Sequence, residues 1–266
     1  MNITIGQYYP VDSFIHRLDA RSKIIATMLY IIGLFAAGGI VGYLIAFMLL
    51  VIMVVLSNVP FKLMLGGLKG IIAVIIFTVV LNLCFTRQGE VVFAFGILKI
   101  TDYGIILSVK MAVRLIMLII ASSVMTLTTS PIELTVGMEY LLSPFKKIGV
   151  PAHEISMMMS IALRFIPTLI EELDKIKKAQ MARGARFDTG KLTERAKSLL
   201  PLLVPLFVSA FRRADELAMA MEARCYRGDI NRTRMNEPKL CRNDYITIVL
   251  FTLFVAAAAL LRLWRL

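Results

Sequence analysis

Acidic residues, cysteine and histidine are all scarce in this 266-residue chain. It carries 18 Asp and Glu against 30 Lys and Arg, three cysteines, two histidines and one tryptophan. Cys84, Cys225 and Cys241 lie far apart, with neither a paired pattern nor a metal spacing. A disulfide framework and a zinc site are therefore excluded. His16 and His153 stand alone in the sequence, without partners for metal or nucleophilic chemistry. His16 is expected at an interface and His153 at the start of a helix. No G-x-x-x-x-G-K-[ST] loop is present, so the chain has no cradle for nucleotide phosphates. What it has in excess is apolar: 58% of residues are hydrophobic and mean hydropathy is +0.78, with a net charge of +12. A nucleic-acid binder would also be basic, but it would not hold several long apolar runs. Apolar and basic together point to an integral membrane protein with its charge in loops.

A span needs about 20 mostly apolar residues. Five segments qualify, at about 24–37 (short), 40–56, 70–85, 104–127 and 245–263, with Gly38-Gly39 as a tight turn between the first two. The first some twenty residues are polar, so the expectation is that no cleavable signal peptide is present and the first span targets the chain. Positive charge orients the spans. Arg17, Arg21 and Lys23 put the N-terminus in the cytoplasm, and Lys62 and Lys69 put the next loop there too. The loop from Arg87 to Asp102, whose VVFAFGILKI stretch reads as a small strand pair or a loop, falls outside. Residues 129–243 fall inside, with 19 of the 30 Lys and Arg. Arg262 and Arg265 are left outside, against the trend. Two apolar runs in the block, 155–170 with Arg164 and Pro167, and 199–211 with Pro201 and Pro205, are expected as interfacial helices. A centred Arg costs about 2.5–3.5 kcal/mol on insertion scales.

Inside that block three amphipathic helices are expected, at about 131–142, 153–181 and 193–222. The last two share a layout: an apolar half, a charged half, and an end marked Ala182-Arg183-Gly184 and Ala223-Arg224-Cys225. An Arg at a helix C-terminus has a local role, because that end carries partial negative charge. It can equally serve a partner, since small neighbours leave the backbone slim and a guanidinium makes directional, multi-donor contacts. Met157, Met158, Met159, Met181, Met219 and Met221 suit either a surface that repacks against partners or ordinary core. In the fourth span Arg114 is expected to face the bundle and Lys110 the interface.

At these residues the chain resembles the transmembrane T component of energy-coupling factor transporters, the EcfT family with its CbiQ-like members. The resemblance rests on GQYYPVDSFIHRLDARSKI (Gly6 to Ile24), on TTSPIELTVGMEYLLSPFKKIGVPAHEISMMMSIALRFIPTLIEEL (Thr128 to Leu173) and on the two Ala-Arg-X ends, and it covers nearly the whole chain. It implies an all-α integral membrane protein of about five transmembrane helices, with three amphipathic cytoplasmic coupling helices between spans four and five. The parts are an N-terminal membrane domain over 1–128, a coupling-helix domain over 129–243 and a C-terminal transmembrane helix over 244–266. It further implies a non-catalytic scaffold in the cell membrane. That scaffold couples ATP hydrolysis by two ABC-type ATPase subunits (EcfA- and EcfA′-like) to a substrate-binding S component for uptake of vitamins or related micronutrients. By resemblance Arg183 and Arg224, flanked by Ala182, Gly184, Ala223 and Cys225, dock into the ATPases. Cys225 departs from the commoner Gly or Ser but is also small. Met157, Met158, Met159, Arg164, Pro167, Pro205, Met219 and Met221 are candidate contacts of the coupling surface. No cofactor or metal is expected on this chain; ATP-Mg belongs to the partner ATPases. The alternatives are a component dedicated to one cobalt, nickel or biotin transporter, a conventional ABC permease, and a membrane-embedded enzyme. Two Ala-Arg-X ends speak against the permease. Spans without Asp, Glu or His speak against the enzyme.

Overall fold

Nine α-helices and one β-hairpin are seen in a computed structural model, which describes residues 8–95, 98–185, 187, 192–228 and 239–263, with the backbone alone for 91–95, 98–100 and 192–198. The helices are α1 (Ala20–Ala36), α2 (Gly39–Ser57), α3 (Phe61–Lys69), α4 (Ile72–Phe85), α5 (Asp102–Thr128), α6 (Pro131–Leu142), α7 (Ala152–Ala182), α8 (Leu192–Ala223) and α9 (Arg242–Leu263). Strands β1 (Val91–Phe95) and β2 (Leu98–Thr101) pair antiparallel, which settles the VVFAFGILKI stretch as a strand pair. The contacts divide the chain into two units, one of 1–137 with 237–266 and one of 138–236.

In the first unit, α2, α5 and α9 are long and apolar enough to cross a membrane. Helices α3 and α4 pass that test only together, and they are bent by 60° at the break around Gly70. The expected third span thus begins with a separate helix where charge alone suggested a loop. The segment is amphipathic: it starts behind Pro60, buries Met64, and lays Gly67 against Ser123 of α5. Lys62 and Lys69 are the second and last residues of this helix rather than parts of a loop. At 17 residues α1 is about 25 Å long, a little less than the hydrocarbon thickness of a bilayer.

Helix α1 packs most extensively on α9 and also touches α5 and α2. It runs parallel to α9: Asp19 meets Asp244 at one end, Tyr30 packs on Phe251 and Phe254 in the middle, and Gly38 meets Arg262 at the other end. Gly33 is required here, because a Cβ on it would lie 2.3 Å from Phe254 Cε1. Helix α5 runs the opposite way, with Thr128 beside Lys23 and Arg114 beside Phe35. The fully buried Tyr30 donates its hydroxyl to Ala46 O of α2 (3.2 Å), which spares a polar atom from burial without a partner. The outer faces show Ile40, Leu44, Phe47, Met48, Val51 and Val55 of α2 exposed, an apolar exterior suited to lipid.

The second unit is built on α7 and α8, each about 31–32 residues long. Pro167 sits inside α7, and Pro201 and Pro205 inside α8, without ending either helix. The apolar halves carry exposed Ile155, Met158, Met159, Leu200, Phe207 and Phe211.

Candidate functional site

The two Ala-Arg-X sequences are the same piece of backbone geometry. In the first, Arg183 is the residue closing α7 and Gly184 takes φ +89°. Gly184 N–H donates to Met181 O (3.0 Å) and Ala185 N–H to Gln180 O (3.0 Å). In the second, Cys225 takes φ +56°, Cys225 N–H donates to Glu222 O (2.8 Å) and Tyr226 N–H to Met221 O (3.0 Å). Each is a Schellman cap, with Ala last in the helix, Arg at the cap and the third residue in the left-handed region. Smallness of that third residue is therefore not the whole requirement. Glycine adopts left-handed backbone freely, whereas Cys225 does so at a cost of about 1–2 kcal/mol. All six residues of the two motifs are exposed.

Helices α7 and α8 lie antiparallel along their length. Near one end Gln180 Nε2 donates to Pro201 O (3.5 Å). In the middle Glu172 accepts from Ser209 Oγ and from Arg213 Nη2 (3.0 Å). At the other end Met157 and Ile161 line a hollow with Leu217, Met221 and Arg224. Arg224 thus stands beside the start of α7, while Arg183 closes its far end. Twenty-six residues of helix separate Met157 from Arg183, so the two arginines sit about 40 Å apart at opposite poles of one helix pair. The Ser209 hydroxyl, followed by the Arg213 guanidinium, holds the Glu172 carboxyl below its ordinary range. This three-residue clasp was not singled out from the sequence, where Glu172, Ser209 and Arg213 are 37 and 41 positions apart.

The other candidate contacts divide. Met157 and Met221 are half-buried in the hollow beside Arg224. Met158, Met159 and Met219 are exposed, as are Arg164, Pro167 and Pro205. His153 has a partner after all: its Nδ1 lies 2.9 Å from Glu139 Oε1, which joins the end of α6 to the start of α7. His16 also has partners. Its Nε2 faces Tyr9 O (3.0 Å), so the proton sits on that nitrogen, and its Nδ1 accepts from Ser13 Oγ (2.6 Å). The Ser–His pair therefore pins the N-terminal segment. Among the described residues no group of three His, Cys, Asp or Glu is placed to hold a metal.

A buried polar node in the first unit also escaped the sequence. Asp244, 1% exposed, accepts from Asp19 N–H (2.9 Å), Ser22 Oγ (2.6 Å) and Cys241 N–H (2.7 Å). Next to it Lys23, 4% exposed, donates to His16 O (3.2 Å) and Thr128 O (2.9 Å). The node joins the start of α1, the start of α9 and the end of α5. Its one local signal is an acid at the third position of α9, the place from which a side chain reaches back to a helix start.

Comparison with known proteins adds the following. The family model described as cobalt transport protein, CbiQ, matches residues 12–235. An energy-coupling factor transporter transmembrane protein EcfT of Clostridium kluyveri is 52% identical over 264 residues, covering 99% of this chain and 98% of that protein. Proteins of the same name from Thermosediminibacter oceani (53% over 247 residues, 93% of each) and Bacillus subtilis (46% over 259 residues, 97% of each) are similar along the same length.

Proposed function

The chain belongs to the EcfT family, the transmembrane components of energy-coupling factor transporters, and from that premise we propose that it transmits force between two ATPases and a substrate-binding membrane partner. The observation that carries this reading is the pair of identical arginine caps at opposite poles of α7 and α8. A helix end with its terminal carbonyls already satisfied by the cap is slim and stable, and its guanidinium is free to face a partner's carboxylates or carbonyls. Two such ends about 40 Å apart suit two separate sockets, one on each of two ABC-type ATPase subunits (EcfA- and EcfA′-like). Arg183 with Ala182 and Gly184 fills one, and Arg224 with Ala223 and Cys225 the other. ATP-Mg is bound and hydrolysed in those partners, and this chain is non-catalytic and holds no cofactor. The clasp at Glu172 makes the helix pair move as one body when the sockets shift. The exposed apolar halves, with Met158 and Met159 on α7, receive the S component, whose identity sets which vitamin or micronutrient is imported. The protein is multi-pass in the cell membrane, with the N-terminus and α6 to α8 cytoplasmic. The Lys and Arg excess of 129–243 supports that orientation.

Co-purification with the ATPases after Arg183→Glu and Arg224→Glu tests the docking. Each single variant is expected to weaken recovery and the double variant to abolish it. Full binding and transport in all three would sink the reading. A cysteine placed at position 190 and labelled only from inside tests the topology; labelling from outside would overturn it. The description of the matching family as cobalt transport favours one second reading, a component dedicated to a single cobalt, nickel or biotin transporter. Recovery of one S component in every preparation, rather than several, would select it.

A further inference from the structure

The turn between α1 and α2 collects positive charge that nothing in the described chain neutralises. Arg114 of α5 lies with its guanidinium carbon 5.2 Å from the Phe35 ring and 5.6 Å from the Tyr43 ring, and its Nε is buried without a partner. Lys110, one turn earlier on α5, is exposed and lines a groove with Gly39, Tyr43, Leu44, Phe47 and Val113. Arg262, in the last turn of α9, lies against Gly38. No acidic side chain among the described residues pairs with any of the three.

The level of this cluster in a bilayer follows from helix lengths. The node of Asp19, Lys23 and Asp244 marks one end of the bundle. From there α1 rises about 25 Å to the turn, close to the far boundary of a hydrocarbon layer of about 30 Å. Lys110, beside Gly39, therefore stands at the depth of glycerol and phosphate groups, where a lysine side chain extends toward the interface. Below it the groove between α2 and α5 is apolar through Leu44, Phe47, Val113 and Met117. Cation above and apolar trough below match the two parts of one molecule.

We propose that the groove between α2 and α5 is a binding site for an anionic phospholipid, its phosphate on Lys110 within the field of Arg114 and Arg262 and one acyl chain along the groove. This gives a reason for cationic residues at the end of the bundle where the orientation rule predicts few. The site belongs to the first unit, and the proposal does not depend on docking by the arginine caps.

The test uses the full-length chain in its purified transporter complex, in mild detergent. Phosphatidylglycerol, phosphatidylcholine and inorganic phosphate are added in separate arms, with lipid retention read by native mass spectrometry and stability by thermal midpoint. The wild type is expected to retain phosphatidylglycerol and to gain midpoint from it, but not from phosphatidylcholine. Lys110→Gln is expected to cut that retention about tenfold, Lys110→Arg to restore it, and Lys69→Gln, on α3, to leave it unchanged. Equal retention of both lipids, an equal loss in Lys69→Gln, or the same stabilisation by inorganic phosphate overturns the proposal. Loss of a membrane partner in Lys110→Gln with phosphatidylglycerol retention unchanged also overturns it, and makes the groove a protein interface.

Discussion

Replacing Asp244 by alanine should loosen the whole membrane unit, although Asp244 lies far in sequence from what it holds. The carboxylate accepts from Asp19 N–H, Ser22 Oγ and Cys241 N–H. Ser22 has a second acceptor in Asp19 O (2.7 Å), so its hydroxyl survives the change. The two backbone N–H groups do not, and a buried donor left without a partner costs about 1–3 kcal/mol. The Cys241 donor lies on an exposed residue that water reaches, which puts the pair at about 2–4 kcal/mol. Lys23 also loses one of the carboxylates acting on it. On the scale of soluble domains of this size, that loss lowers the unfolding midpoint by about 5–15 °C. Asp244→Asn should be milder, at about 1 kcal/mol, because an amide oxygen still accepts from Asp19 and Ser22 while only the Cys241 bond is lost. The assay is thermal unfolding of the purified complex in detergent, with Ser22→Ala as a single-bond control. An Asp244→Ala variant within 1 kcal/mol of wild type, or an Asn variant no milder than Ala, would refute the role assigned to the node.

Three other changes probe different parts of the molecule. Gly33→Ala forces a Cβ to within 2.3 Å of Phe254 Cε1, so it should cost about 1–3 kcal/mol by overpacking α1 against α9, read as a lower midpoint; no loss would mean the two helices part freely. At the caps, Gly184→Ala should cost about 1 kcal/mol and speed amide exchange in the last turn of α7, whereas Cys225→Gly should leave the end of α8 at least as protected as before. A Cys225→Gly variant with a faster-exchanging end would contradict the left-handed cap. The Glu172 carboxyl is held below its ordinary range, so the stability it contributes is complete above the unfolded carboxylate pKa of about 4.3 and is lost as pH falls through the lower folded value. Spin labels on α7 and α8 should therefore separate as pH falls below the unfolded carboxylate value, and Glu172→Gln should abolish that pH dependence.

Whatever depended on local pattern was readable beforehand. The ends of α7 and α8 follow from amphipathic periodicity and small residues, and the structure places them within a residue or two of the expected positions. What depended on pairing was not. Asp19 and Asp244 are 225 positions apart, and nothing near either announces the other. The segment around Lys62 and Lys69 looked like a charged loop because charge counts ignore which face a residue occupies; Met64 and Gly67 turn it into a helix packed on α5. The arginine repeat was visible, and Gly184 is a residue suited to end α7, but that Cys225 is left-handed as well appears only from backbone angles. Its two copies also lie at opposite ends of a single pair, which appears only from the antiparallel contacts.

An antiparallel pair of similarly built helices has an approximate dyad across its middle, near the clasp of Glu172 and Ser209, which relates the two arginine caps. A single chain is thereby given the outline of a homodimer. A two-fold symmetric partner would meet the same handle on both of its halves without any second copy of this protein. The symmetry is approximate, and at the caps it is broken by glycine against cysteine in the left-handed position and by Ala185 against Tyr226 after it, which would leave the two handles distinguishable to a partner whose own halves differ.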